Sequence, residues 1–291
     1  MKLTLKQQTD IKQLVMRHGG MLPVGSLQSL LSELDETIDE FMMAVLGLAG
    51  EFAVVPVSRY QAAVVALGET GNLYVGANQE YAQTGICQTV HAEQAAVAIA
   101  HQHGETGLVK MAINANPCGH CRQFLFELVD GGRLEILVSG AAPTTIAKLL
   151  PHAFGPGDLK VQGGLLSSQQ HALQLMGNAN DDLLLKACEV ALKSYAPYTK
   201  AYAAVVLRTQ GGVLFAGAYL ENAAFNPSLP AMQSALVSLA VSGRSVDEVV
   251  AAALVQVKDN VVDHEAAARL VLKALCPTVV LQVGELVDKS L

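Results

Sequence analysis

No stretch of this sequence is apolar for long enough to cross a bilayer: the run over 41–50 is broken by Glu51, well short of the about 18 residues a spanning helix needs. The first residues also lack the apolar segment and small-residue cleavage site of a secretory signal. A soluble protein of the cytoplasm, with no membrane partner, is the expectation. Basic clusters are missing too. Lysine and arginine, 19 in all, are scattered as at Lys110, Arg122 and Arg133, and the formal charge is −7. With no cationic stripe interleaved with aromatics, nothing in the sequence tracks a phosphate backbone, so no nucleic-acid partner is expected. Cysteine is scarce, and the odd count of five in 291 residues makes a poor disulfide framework. Only 15% of residues are charged against 51% hydrophobic, which excludes a disordered chain and leaves enough apolar side chain for two domains and a small appendage.

What is present is one pattern written twice. Residues 1–48 carry apolar side chains mostly three and four apart, from Leu5 through Ile11, Leu14 and Val15 to Leu30, Leu34, Ile38 and Met42, which predicts a small helical N-terminal domain. In 49–150, two β-rich runs at 60–67 and 73–78 flank a Gly-containing turn at 69–72, the signal of a hairpin. A helix over 91–101, a strand over 109–114, a helix after Pro117 and a strand over 134–138 complete the order β-β-α-β-α-β. The same order returns in 190–291. There 203–206 parallels 62–65 and 213–218 parallels 72–77, followed by a helix over 230–241, a strand over 252–257, a helix over 264–275 and a strand over 278–283. Residues 151–189, rich in Gly and Pro with weaker periodicity, read as a connecting segment with parts packed on a domain.

The repeat is most informative where it fails. Val90-His91-Ala92-Glu93 aligns with Leu229-Pro230-Ala231-Met232, so proline and methionine stand where the first copy has histidine and glutamate. No cysteine pair stands near 257, where the second copy would place one. The apolar scaffold is shared and the metal-capable residues are not.

Those residues are His91 and Glu93, then Pro117-Cys118-Gly119-His120-Cys121, with 27 residues from His91 to Cys118. A Cys-x-x-Cys pair alone suits a redox couple, a partial metal site or neither. Two thiolates three apart at a helix start can nevertheless face one point, where main-chain N–H groups and the helix dipole favour the deprotonated form. With the His91 imidazole they make three zinc ligands and leave a fourth position for water, the arrangement of a catalytic site rather than a structural one. His120 inside the Cys-x-x-Cys loop is an alternative fourth ligand, though its side chain would have to fold back into a small loop. Glu93 is a candidate proton carrier for the metal's water, and equally a carboxylate favoured at a helix N-terminus.

His-x-Glu followed by Pro-Cys-x-x-Cys is the signature of zinc nucleobase deaminases. Across nearly its whole length the sequence resembles the long, two-repeat, homodimeric cytidine deaminases of bacterial type, most clearly at Thr89-Val90-His91-Ala92-Glu93-Gln94 and Pro117-Cys118-Gly119-His120-Cys121-Arg122-Gln123-Phe124. The resemblance implies an α/β fold: a duplicated three-layer α/β/α deaminase-like domain with a mixed sheet, plus the small helical N-terminal domain. It implies one zinc per chain, in the first copy only, and a homodimer acting on a pyrimidine nucleoside by water attack at C4, with Glu93 moving the proton. Asn78 and Glu80 match the family's site for the ribose 3′-hydroxyl, though by themselves they are ordinary polar residues at a strand end. Tyr60 falls where the family usually has a Phe that packs on the pyrimidine, and Ala62-Ala63 replaces the more usual Val-Gly. The main chain around Ala92 and Cys118 is implied to hold the amino group and the carbonyl edge of the ring. Phe154 matches an aromatic that closes the neighbouring subunit's site, with a core plug under a loop as its alternative.

Overall fold

The computed structural model describes residues 3–177 and 180–289. Reciprocal capping starts the first helix: the Gln7 N–H donates to the Thr4 hydroxyl and the Thr4 N–H donates back to the Gln7 side chain, opening α1 (Leu5–Arg17). The short strand β1 (Met21–Leu22) and α2 (Val24–Leu34) follow. Thr37 and Glu40 repeat the reciprocal cap at the head of α3 (Ile38–Ala44), and α4 (Leu46–Gly50) comes next. These helices share a core with the sheet that follows. Phe41 and Met42 are fully buried.

The chain forms two compact units, one from the chain up to Glu80 with Thr89–Ser167 and Val241–Gly243, the other from Tyr81–Gln88, Ser168–Ala240 and the described chain from Arg244 onward. In the first, the strands β2 (Ala63–Gly68) and β3 (Leu73–Ala77) make the expected hairpin. The helix α5 (Ala92–Gln102), the strand β4 (Leu108–Ile113), the helix α6 (Gly119–Phe126) and the strand β5 (Glu135–Val138) follow in the anticipated order, and then β6 (Thr144–Thr145) and α7 (Ile146–Leu149). The sheet order is β1-β3-β2-β4-β5-β6, antiparallel except for β4 against β5. Its strands are short and apolar on both sides because helices cover both faces, and β2 is buried at every position but one.

The second unit contains β7 (Leu173–Leu175), α8 (Asp182–Ala191), β8 (Ala203–Thr209), β9 (Leu214–Ala218), α9 (Ala231–Val241), β10 (Val249–Val257), α10 (Glu265–Leu275) and β11 (Leu281–Asp288). Its sheet runs β7-β11-β10-β8-β9, with β10 and β11 parallel. The fold is therefore a duplicated α/β/α deaminase-like domain with mixed sheets and an N-terminal helical region.

The duplication holds residue by residue. Ala63 pairs with Ala77 and Val64 with Gly76 in the first hairpin; Ala204 pairs with Ala218 and Val205 with Gly217 in the second. Behind each hairpin a helix crosses at the glycine. A side-chain carbon on Gly76 would overlap the main chain of Ala92 and Ala96, and one on Gly217 would overlap that of Ala231 and Ala235. This register equates Ala92 with Ala231, and so His91 with Pro230 and Glu93 with Met232. Gly76→Ala is expected to destabilise the first unit by at least about 1–3 kcal/mol, read as a lower midpoint in urea unfolding; an unchanged midpoint would mean that the helix can move aside.

Besides the short β1, β6, β7 and α7, which the sequence reading does not contain, two longer elements differ from it. The last strand was expected over 278–283 and lies at Leu281–Asp288; the β-branched run before it is turn, with Val280 76% exposed. Within the segment read as connecting, α8 packs on β8 and β10. Its signals are Asp181, whose carboxylate accepts from the Leu183 and Leu184 N–H groups, and Leu183, Ala187 and Ala191, which are buried at intervals of four.

The copies also part company at one strand end. The β2–β4 ladder stops at Val64 opposite Ile113, whereas the β8–β10 ladder passes the equivalent pair, Val205 opposite Leu254, and continues through Ala204 opposite Val255 to Ala203 opposite Gln256.

Candidate active site

His91 and Cys118 occupy the same post in two different helices. Each is the extended residue just before the first helical turn, His91 of α5 at φ −81°, ψ 156° and Cys118 of α6 at φ −70°, ψ 169°. The His91 N–H donates to the Gln94 side chain at 3.1 Å, which fixes the start of α5. Cys121 lies on the first turn of α6 and is fully buried, while Cys118 is exposed. The consequence is convergence. The Cys118 and Cys121 Sγ atoms stand 3.5 Å apart, and the His91 Nδ1 is 3.5 Å from the first and 3.1 Å from the second.

Those separations match a zinc donor set. Tetrahedral coordination with ordinary Zn–S and Zn–N bond lengths puts two sulfurs roughly 3.8 Å apart and a sulfur and a nitrogen roughly 3.6 Å apart. The three donors are thus already gathered about one point, and no fourth His, Cys, Asp or Glu joins their group among the described residues. His120 lies beside this group without joining it, its ring centroid 5.2 Å from that of His91. The triad sits in the first copy, in accord with one zinc per chain.

Electrostatics favour the same role. The hydrogen bond from the Cys121 side chain is the largest influence on Cys118 and brings it down to about 4, against the effect of burial. Cys121 is pushed up by donating that bond and by its burial. A bound zinc would take the place of that hydrogen bond in holding the two sulfurs together. Burial raises the Glu93 carboxyl above its ordinary 4.5, opposed by its own main-chain N–H, the Cys121 side chain and the His91 charge. A carboxyl group that tends to hold a proton, two residues from a metal ligand and only 6% exposed, is suited to proton transfer.

The donors open on a cavity of about 310 Å³, within the range of small-molecule sites. His91, Ala92, Glu93 and Cys118 line it, together with Asn78, Glu80 and Tyr60. Eight of the nine residues singled out from the sequence are thereby gathered in one place, Cys121 through its contact with His91 and Cys118. Phe154 is the exception: it is not among the lining residues, is 45% exposed, and its carbonyl accepts from the Gln123 side chain at 2.6 Å.

Asn78 and Glu80 are already engaged with the chain. The Asn78 side chain accepts from the Ala62 N–H at 3.0 Å and donates to the Tyr60 carbonyl at 3.0 Å. One Glu80 oxygen accepts from the Val57 and Ser58 N–H groups, each at 2.9 Å. Burial pushes the Glu80 carboxyl up, but the Ser58 side chain and these two N–H groups together hold it below its ordinary range. Together they pin the loop that carries Tyr60, a side chain 53% exposed. In the second copy Glu221 repeats the arrangement, accepting from the Tyr198 and Thr199 N–H groups.

Ala62, noted beside Tyr60 in the sequence, lines the cavity, whereas Ser58, Thr89 and the run Ile113, Asn114, Ala115 and Asn116 line it without having been singled out. Asn114 had one visible signal, a polar amide at the end of an apolar strand.

Two family models, each described as "Cytidine and deoxycytidylate deaminase zinc-binding region", match the chain, one over residues 35–132 and the other over residues 146–269. A cytidine deaminase of Photobacterium profundum is 40% identical over 251 residues, covering 86% of this chain and 84% of its own. A cytidine deaminase of Aliivibrio fischeri is 40% identical over 267 residues, covering 92% of this chain and 89% of its own. Among solved structures, a cytidine deaminase from Mycobacterium tuberculosis is 30% identical over 41% of this chain and 99% of its own, with a TM-score of 0.37. No helix among the described residues is long and apolar enough to cross a membrane.

Proposed function

The chain belongs to the cytidine and deoxycytidylate deaminase family, as a zinc-binding hydrolase with two deaminase-like domains, and from that premise we propose that it converts cytidine and 2′-deoxycytidine to uridine and 2′-deoxyuridine with release of ammonia. The observation that carries this reading is the pairing of a gathered His91, Cys118 and Cys121 donor set with the buried Glu93 carboxyl on one cavity wall.

In this reading His91, Cys118 and Cys121 hold the metal. When bound, zinc would supply an electron-pair acceptor that lowers the pKa of a water molecule to near neutral. Glu93 takes a proton from that water and delivers it to N3 of the cytosine ring as oxygen adds at C4. It then passes a proton to the amino group, the C4–N bond breaks, and the products are ammonia and the uracil carbonyl. Main-chain groups around Ala92 and Cys118 hold the amino group and the carbonyl edge of the ring, and the Tyr60 ring packs on the pyrimidine. Asn78 and Glu80 receive the ribose 3′-hydroxyl. A carboxylate there repels a phosphate, which favours a nucleoside over a nucleotide or a nucleic acid, in keeping with the charge of −7.

The same proposal divides the chain into a helical domain over 1–48, a catalytic domain over 49–150, a connecting segment over 151–189 and a non-catalytic domain over 190–291. It assembles two copies as a homodimer in which Phe154 closes the neighbouring subunit's site and the second copy helps wall it. It puts the protein in the cytoplasm, where reducing conditions keep the thiols available to metal.

The test is a panel of cytidine, deoxycytidine, cytidine monophosphate, adenosine and a cytosine-containing oligonucleotide, followed by ultraviolet absorbance and ammonia release. Turnover is expected for the first two, with kcat/KM for the monophosphate at least tenfold lower. Equal or faster turnover of the monophosphate or the oligonucleotide would contradict the assignment.

A further inference from the structure

The point at which the two copies separate has a chemical cause in one side chain. In the first copy the Asn114 Oδ1 accepts from the Ala63 N–H at 2.9 Å, and its Nδ2 donates to the Gln61 carbonyl at 2.8 Å. In the second copy the equivalent groups are satisfied by main chain. Val255, which stands where Asn114 does, pairs with Ala204 in the ladder, and the Tyr202 carbonyl, equivalent to that of Gln61, accepts from the Val257 N–H at 3.2 Å. One asparagine amide thus performs in the first copy what three further residues of strand perform in the second.

The substitution matters because a strand edge left without partners would draw the following residues back into the ladder, as β10 shows. With its last donor and acceptor already satisfied, the chain after Asn114 is free to leave the sheet. The residues released, Ala115 and Asn116, line the cavity and lead through Pro117 into the Cys118 turn. We propose that Asn114 is a positioning residue that opens the active-site cavity, its side-chain amide ending the β2–β4 ladder so that the chain peels away before the metal-binding turn. The link to catalysis rests on the deaminase reading above; the link to strand pairing does not.

The experiment uses the full-length zinc-loaded protein and three forms: wild type, Asn114→Val, which copies the second repeat, and Asn114→Ala, which removes both amide bonds. The Asn114 N–H already donates to the Ala63 carbonyl at 3.2 Å, so hydrogen exchange at the main-chain amide of Asn116, the counterpart of Val257, reads the strand directly. Asn114→Val is expected to slow exchange there at least tenfold as the ladder extends, and to raise the KM for cytidine at least tenfold. Asn114→Ala is expected to raise KM by a similar factor with kcat within about threefold of wild type and zinc still at one per chain. Wild-type exchange and KM in a folded Asn114→Val protein would overturn the proposal. If that variant does not fold, Asn114→Ala decides: a lower melting temperature with KM unchanged overturns it equally, because that is the signature of a merely structural amide. Should the wild type show no turnover of cytidine, the deaminase reading fails while the exchange comparison still tests the strand.

Discussion

Glu93→Gln is expected to retain one zinc per chain and to lose about 10²–10⁴-fold in turnover, the usual contribution of a positioned acid–base group. Glutamine has nearly the same shape and can occupy the same buried place at the head of α5, so the three donors have no reason to move. It has no proton to give at the ring and cannot accept one from water. Because Glu93 stands outside the donor group, metal content and catalysis should separate cleanly in this variant. Atomic absorption gives the first and loss of cytidine absorbance the second. Undiminished ammonia release would remove Glu93 from the proton path.

Cys121→Ala is expected to act at the earlier step, lowering zinc from one per chain to below a tenth and abolishing turnover. Its sulfur is fully buried 3.1 Å from the His91 nitrogen and 3.5 Å from Cys118. Its removal leaves two donors, one of them exposed, where a stable catalytic zinc needs three protein ligands. Cys188→Ala, a half-buried cysteine in the second unit, serves as the control and should keep its full zinc. Full metal retention by the Cys121 variant would show that the donor set is not the one described, and two zincs per wild-type chain would show that Pro230 and Met232 do not silence the second copy.

The hairpins, the helices behind them and the duplication were legible in the sequence because each rests on a pattern of residue types: an unbroken apolar run at 62–66 beside a Gly-containing turn, and small residues from Ala92 through Ala100 where α5 meets the sheet. The donor triad was legible for a different reason, since few residue types ligate zinc and three of them stand at helix starts. What escaped notice depends on single contacts. Asn114 ends a ladder with a side chain that mimics main chain, and no periodicity records that. The last strand begins three residues later than expected because residues 278–280 have strand-like composition but are spent on the turn after α10. Helix α8 was hidden inside a Gly- and Pro-rich stretch although its cap and spacing were in view. Glu80 was recognised as polar at a strand end, but its grip on the Val57 and Ser58 N–H groups became visible only in three dimensions.

The longer ladder of the second repeat limits what could revive it. Grafting histidine and glutamate at 230 and 232 and a pair of cysteines after Val257 would restore the reactive groups yet leave them facing a closed seam, since Val255 and Gln256 remain stitched to Ala204 and Ala203. An engineer would have to unpick that seam first. This half of the molecule thus differs from the other both in its reactive residues and in the strand end that would lead to them.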